Sequence, residues 1–330
     1  MSEGNEEWSI KGKTCIVTGA NAGIGKATTL ELVKRGAGRV IMACRTLDKA
    51  EQVAKEICQQ CGISEHDRLL RLAVKHLDLA SLSSVRKFAK EIINSEQQVH
   101  VLINNAGLEQ PNGRTVTEDG FETTFATNHL GHFLLTNLLL DLLKKSAPSR
   151  IVIVASTAYK ACWPGGFDID DVNTERVRYK GMQVYCKSKL ANILFARSLN
   201  KRLNPTPEQH SGVSVFALHP GVINSEFRRY RRGFSLLDIF FIGAISIEDG
   251  AKTQLYCACQ PGIEKLTGKY FEKCQETRLW SIGKDDEKAE KLWTMSEQMT
   301  GLSNTTTTTA DQVADGENDK GQDDSNNNNN

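Results

Sequence analysis

Tyr185 and Lys189 stand four residues apart in a stretch, Met182 to Leu203, whose apolar spacing predicts a helix, so the two side chains share one face. A phenol titrates near pH 10 and is a poor base at neutral pH; an adjacent ammonium favours the phenolate and suits the pair to acid/base work. A lone Y-x-x-x-K is common on surface helices, so position must decide, and this one falls between a fifth and a sixth predicted strand. Ser156 ends that fifth strand, where its hydroxyl can hydrogen-bond a carbonyl, with Thr157 as the fallback. A second constellation, Thr18-Gly19-Ala20-Asn21-Ala22-Gly23-Ile24-Gly25, lies where a first strand turns into a first helix. There glycines give a tight turn, let backbone approach a pyrophosphate, and expose N–H groups at the positive helix end.

The elements that must position these residues alternate along the chain. Thr14 to Thr18 reads as a strand, Gly23 to Lys34 as a helix, Arg39 to Cys44 as a strand, and a helix capped by Thr46 runs to about Gln60. Leu69 to Leu77 reads as a third strand, followed by a helix from Leu82 to Asn94 and the strand HVLIN at 100–104. A long helix, Gly120 to Lys145, precedes the strand RIVIVAS at 150–156; the helix bearing Tyr185 precedes GVSVFAL at 212–218. A helix near Glu248 to Cys259 and the run GKYF at 268–271 complete the series. The strands are apolar without alternation, the mark of a sheet covered on both faces. The expected fold is α/β: a Rossmann-type, doubly wound, seven-stranded parallel sheet with helices on both faces and ligands at the C-terminal strand ends. Two segments resist assignment, Thr157 to Gly181 and Val222 to Ile247, and both follow strand ends, where binding loops belong.

Composition bounds the rest. The 330 residues carry 41 Lys plus Arg against 40 Asp plus Glu, a balance that offers no case for a nucleic-acid partner. No stretch approaches the roughly 20 apolar residues of a spanning helix, and the mean hydropathy is −0.38. Nine cysteines behind an acidic N-terminus (Glu3, Glu6, Glu7) point to a reduced, cytoplasmic chain that is not secreted. Cys58 and Cys61 lack a second pair at zinc spacing, and His129 and His132 lack a third ligand, so no metal is expected. Residues 1–10 read as a leader, 11–302 as one catalytic domain, and 303–330 as a disordered tail rich in Thr, Asn and acids.

Taken together, the G-x-x-x-G-x-G turn, Asn104-Asn105-Ala106-Gly107, Asp78-Leu79 and Tyr185-x-x-x-Lys189 resemble the short-chain dehydrogenase/reductase family from about Lys11 to Leu302. The resemblance implies a nicotinamide cofactor contacted by Gly19, Asn21, Gly23, Ile24, Gly25, Asp78, Leu79, Asn105, Ala106, Gly107, Pro220, Gly221, Tyr185 and Lys189. It also implies Tyr185 as acid/base, Lys189 as its tuner, Ser156 as the polarising hydroxyl, and Asn128 as the asparagine that holds a water beside the Lys. The 29-residue step from Ser156 to Tyr185 exceeds the family's common spacing and implies an inserted loop; Tyr159 and Tyr179 inside it lack a Lys four residues on. At the end of the second strand an NAD user places an acid for the ribose 2′-OH. This chain has Cys44 and Arg45 there, and Arg45 can grip a 2′-phosphate in a forked contact, so NADP(H) is the expected cofactor. Asp48, a turn later, reads as a first-turn helix acid.

Met42-Ala43-Cys44-Arg45, Asn128-His129-Leu130-Gly131-His132-Phe133, His219-Pro220-Gly221-Val222 and Thr267-Gly268-Lys269-Tyr270-Phe271 narrow the resemblance to the NADP-linked retinol dehydrogenase branch. That branch implies a lipophilic aldehyde/alcohol pair, retinal and retinol foremost; the unassigned segments supply Trp163, Phe167, Phe227, Phe234, Phe240 and Phe241 for an apolar pocket. Two other functions fit the same motifs: a reductase for steroid or xenobiotic ketones, and an NADP-binding regulatory protein without turnover. Arg228, Arg229, Arg231 and Arg232 ahead of an apolar run to Ile247 are compatible with peripheral contact on an anionic membrane, and helices on the sheet faces with a homodimer.

Overall fold

The computed structural model describes residues 8–110, 113–162, 167–206, 208–222 and 245–302. In chain order the elements are β1 (Thr14–Thr18), α1 (Gly23–Lys34), β2 (Arg39–Cys44), α2 (Leu47–Cys61), α3 (Glu65–Arg71), β3 (Leu72–His76), α4 (Leu82–Ser95) and β4 (Val101–Asn104). A broken helix follows: α5 (Thr123–Phe125), a π-turn (Ala126–Leu130), α6 (Gly131–Leu138) and α7 (Leu140–Lys145). Then come β5 (Ser149–Val154), α8 (Gly181–Leu203), β6 (Val213–His219), α9 (Ile247–Cys259), β7 (Tyr270–Glu272), β8 (Gln275–Glu276) and α10 (Asp286–Thr300). One sheet runs β3-β2-β1-β4-β5-β6-β7-β8. Seven strands are parallel, as expected; the eighth, two residues long, adds antiparallel to β7 and corrects the seven-stranded count.

Each strand sends alternate residues to opposite faces, and both faces are buried. Ile16, Leu102, Ile151 and Ile153 enter a core under α4, α6, α8 and α10, whereas Cys15, Val17, Val101 and Val152 enter another under α1, α2 and α9. The chain order reverses between β1 and β4, so a crevice opens at their C-terminal ends, beside Gly19 and Asn105.

Two sequence expectations change. The third strand does not begin at Leu69: Ser64 caps α3 by accepting from the Asp67 N–H at 3.1 Å, Leu69 and Leu70 are exposed, and pairing starts at Leu72 against Val40. The helix expected from Gly120 to Lys145 starts only at Thr123, where the Glu122 carboxylate accepts from the N–H groups of Thr124 and Phe125 at 2.9 and 2.6 Å. It then widens into the π-turn, in which the Gly131 N–H reaches back five residues to the Ala126 carbonyl. Within the segment read as a leader, the described residues Trp8 and Ile10 are buried in the core. Trp8 Nε1 donates to the Ala258 carbonyl at 3.1 Å, and the Arg150 guanidinium lies 4.1 Å from the Trp8 ring centre. The membrane-contact segment 228–244, the tail 303–330, and Trp163, Phe227, Phe234, Phe240 and Phe241 lie outside the described residues. Phe167 is buried in the core.

Gly131 marks where the broken helix meets the turn after β3. A Cβ there would sit 2.4 Å from the Leu79 carbonyl oxygen, a backbone atom that cannot swing away. Gly131→Ala is expected to cost roughly 1–3 kcal/mol of stability, read as a lower urea midpoint at unchanged slope.

Candidate active site

The turn from β1 into α1 is built from three glycines with different duties. Gly19 has a φ of +65°, a left-handed conformation, and a Cβ there would lie 3.0 Å from that of Ala106. Gly25 packs helix against strand: a Cβ would lie 2.3 Å from the Gly19 oxygen and 2.6 Å from Asn105 Nδ2. Gly23, φ +51°, faces open space, and α1 has no side-chain cap at Ala22, so its first N–H groups are left for an anion. Asn21 and Ile24 are half-buried beside it. Asn105 binds the turn from β4, donating from Nδ2 to the Thr18 carbonyl at 2.7 Å and accepting from Gln254 Nε2 at 3.0 Å.

The rim follows the strand ends. Cys44 is buried, and burial pushes its thiol up to about 11 against the opposing pull of the Ala20 and Asn21 backbone N–H groups. The tip of β2 therefore touches the glycine turn. Arg45, the next residue, is exposed and has no ion pair among the described residues; Asp48 lies in the first turn of α2, and Thr46 holds the N-cap position without a side-chain bond. The Asp78 carboxylate accepts from the Ala80 N–H at 2.9 Å, and Leu79 is buried against the broken helix. Pro220 and Gly221, half-buried, follow β6 on the other side of the crevice.

Ser156, Tyr185, Lys189 and Asn128 come together between β5 and α8. Tyr185 is half-buried and hydrogen-bonded by Ser156, whose Oγ also accepts from the Ala158 N–H at 3.2 Å. Lys189 is buried; its Nζ donates to the Val154 carbonyl at 3.2 Å and lies 5.5 Å from the Tyr185 ring centre. A Cβ on Gly107 would lie 3.3 Å from Lys189 Nζ and 3.4 Å from Asn128 Oδ1, so the N-N-A-G segment reaches this centre as well as the turn. Asn128 spends its side chain on the protein: Oδ1 accepts from the Leu108 N–H at 2.8 Å, while Nδ2 donates to the Leu108 carbonyl and to Ser188 Oγ, both at 2.9 Å. The rejected tyrosines sit elsewhere. Tyr159 OH is buried and accepts from the Trp280 N–H, and Tyr179 OH donates to the Gln110 carbonyl or to Glu122.

The electrostatics differ from the expectation for Tyr185. Burial raises its pKa, and the Ser156 hydrogen bond opposes that only in part. Burial also weakens Lys189, whose ammonium titrates at about 8. At neutral pH the centre thus holds a protonated phenol beside a mostly charged amine, the state of a proton donor. Four imidazoles are held down by burial: His100, His132 and His219 to about 4, His129 to about 3. Unfolded, each takes a proton near pH 6.5, so between those values the unfolded chain binds more protons and stability falls as pH drops. Stability should decline from about pH 6.5 toward 4 by on the order of 1 kcal/mol per pH unit per ring, read as a falling melting temperature; a flat profile over that range would contradict the burial of these rings.

Sequence reasoning gave no role to Thr18, His132, Gly131, Ser188 or Gln254. The sequence offers His129 and His132 at i, i+3, a pair that reads as ordinary polar packing and does not show the bond from the His132 ring to the Asn128 backbone. Among the described residues no cluster of three or more His, Cys, Asp or Glu could hold a metal, and no helix is long and apolar enough to cross a membrane.

A glycine turn at the switch point of a parallel sheet, with Ser156 just past the end of β5 and Tyr185 and Lys189 beside it on α8, defines an oxidoreductase that works through a nicotinamide dinucleotide. The family model for short chain dehydrogenase matches residues 13–167, and the chain belongs to the short-chain dehydrogenase/reductase family, in its retinol dehydrogenase branch. It is 45% identical to mouse (Mus musculus) retinol dehydrogenase 14 over 310 residues, covering 91% of this chain and 89% of the relative. It is also 45% identical to human (Homo sapiens) retinol dehydrogenase 13 over 301 residues, 89% of this chain and 86% of that one. Among solved structures, an uncharacterized protein from Mycobacterium Paratuberculosis superposes with a TM-score of 0.68 at 35% identity, covering 90% of this chain and 96% of the other.

Proposed function

We propose that the protein is an NADP(H)-dependent oxidoreductase interconverting a lipophilic aldehyde and its alcohol, with retinal and retinol as the leading pair. The observation that carries the proposal is the joint one: identity of 45% to retinol dehydrogenases along nearly the whole chain, with Ser156, Tyr185 and Lys189 assembled at the sheet's open end. Arg45 supports the phosphorylated cofactor, because it is exposed at the end of β2 and no carboxylate takes the place that would repel a 2′-phosphate.

The bound dinucleotide supplies or accepts the hydride at its nicotinamide ring. Ser156 and Tyr185 can both address the carbonyl oxygen, Ser156 by polarising it and Tyr185 by delivering its proton as negative charge builds there. Lys189, charged below about pH 8, favours loss of that proton and offers its ammonium to the cofactor's ribose hydroxyls. Alcohol oxidation runs the same proton backward, from alcohol to phenolate.

Two measurements test this. Consumption of NADPH should be fastest with retinal among a panel of retinal, medium-chain aldehydes, steroid ketones and quinones; a steroid winner would move the protein to the ketone reductases, and tight NADPH binding with no turnover anywhere would make it a regulatory binder. With retinal saturating, the reduction rate should hold across neutrality and fall as pH rises through about 8, where Lys189 loses its charge. A rate that climbs through that point would remove Lys189 from this role.

A further inference from the structure

Thr18 Oγ1 is a hub inside the glycine turn. It accepts from the backbone N–H groups of Asn105 at 2.9 Å and Ala106 at 3.0 Å, which fills both lone pairs of the hydroxyl. Its own proton has two candidate acceptors, His132 Nε2 at 2.9 Å and the Ile103 carbonyl at 3.4 Å, and the nearer is the better bond. His132 Nε2 then carries no hydrogen, and Nδ1 carries it instead. That nitrogen lies 3.1 Å from the Asn128 backbone oxygen and donates to it. The ring is fully buried and is kept neutral by that burial, the state in which it can accept on one side and donate on the other.

The bonds continue past Asn128. Its Nδ2 donates to Ser188 Oγ at 2.9 Å, and Ser188 Oγ donates to the Tyr185 carbonyl at 2.7 Å. We propose that His132 is a positioning residue that couples the dinucleotide turn to the helix carrying Tyr185, fixing the distance between hydride donor and proton donor through the path Thr18, His132, Asn128, Ser188, Tyr185. The inference rests on the proposed function, in which that turn holds the dinucleotide and Tyr185 delivers the proton. It goes further by assigning His132 two separable duties, one toward cofactor binding and one toward alignment of the proton donor. Alignment matters because misplacement of reacting groups by about 1 Å costs on the order of a hundredfold in rate.

The two sides of the ring can be tested apart with amides. Asn in place of His132 puts a donor near the Nδ1 position; Asn137 already makes such a bond, from Nδ2 to the carbonyl four residues back at 2.8 Å. Gln extends to the Nε2 position. His132→Asn should raise the NADPH dissociation constant about tenfold with kcat at saturating cofactor nearly kept, whereas His132→Gln should keep the dissociation constant and lower kcat about tenfold. Binding is read by NADPH fluorescence, which needs no carbonyl substrate, turnover by retinal reduction, and folding by thermal melts. Equal changes in both constants for both variants, tracking lost stability, would reduce His132 to packing and overturn the proposal, as would two variants that match wild type. If wild type binds NADPH but reduces nothing, the proposed function fails, and the dissociation constants alone decide His132: a rise for Asn and none for Gln supports it, and any other pattern overturns it.

Discussion

Tyr185→Phe is expected to lower the rate of carbonyl reduction by about 10²- to 10⁴-fold while leaving the fold and NADPH affinity close to wild type. The ring keeps its place, since only the oxygen is removed from a half-buried side chain on α8. What disappears is a group at the centre that burial keeps protonated at neutral pH and that Ser156 orients. Ser156 remains to polarise the carbonyl, so a residue of activity should survive. Tyr159→Phe is the matched control. Its hydroxyl accepts from the Trp280 N–H in a buried position, so its loss should cost about 1–3 kcal/mol of stability and leave single-turnover hydride transfer unchanged. Stopped-flow measurement with both variants separates the two roles; near-normal transfer in a folded Tyr185→Phe protein would end the assignment.

Arg45→Ala should weaken NADPH binding between about 10- and 150-fold and barely change NADH binding. A hydrogen bond to a charged group contributes about 1.5–3 kcal/mol, and Arg offers two in a fork that matches a phosphate. The side chain is exposed and without an ion pair among the described residues, so its removal leaves no buried charge behind and stability should hold. The neighbouring Cys44 is buried against the turn and cannot substitute. Titration of both cofactors against wild type and variant gives the ratio directly. An unchanged ratio would mean that the 2′-phosphate is held elsewhere.

Where sequence and structure agree, one dominant signal set the element. The strands Thr14–Thr18, Arg39–Cys44 and Val101–Asn104 are unbroken apolar runs because both faces are covered; the glycine turn and Asn105 follow strand ends, and Tyr185 and Lys189 share a face of α8 through their spacing of four. Leu69 and Leu70 misled because apolar content suggested a buried strand, whereas a Ser64 cap and Arg39, whose Nη1 donates to both their carbonyls at 3.3 and 2.6 Å, hold them on an exposed helix. The break at 126–130 was invisible for another reason: the π-turn leads into Gly131, which packs against the Leu79 backbone, a contact 52 residues distant in the chain. His132 could be seen as buried but not as bonded, because its partner Thr18 lies 114 residues away. Local pattern encodes elements; it does not encode which distant hydroxyl a ring nitrogen meets.

At the other end of the sheet, the Arg150 side chain is fully buried, stacked on Trp8 and bonded to the carbonyls of Cys257 and Gln260 and to Glu264. This knot fastens the chain's start, the foot of β5 and the end of α9, all remote from the strand tips that carry the chemistry. The molecule is therefore polarised along its strands: one pole is fixed by mutual restraint, the other carries the residues that do chemistry. Of the four tryptophans, Trp8 lies at the foot and Trp280, beside Lys160, at the working end, so the two report on opposite poles.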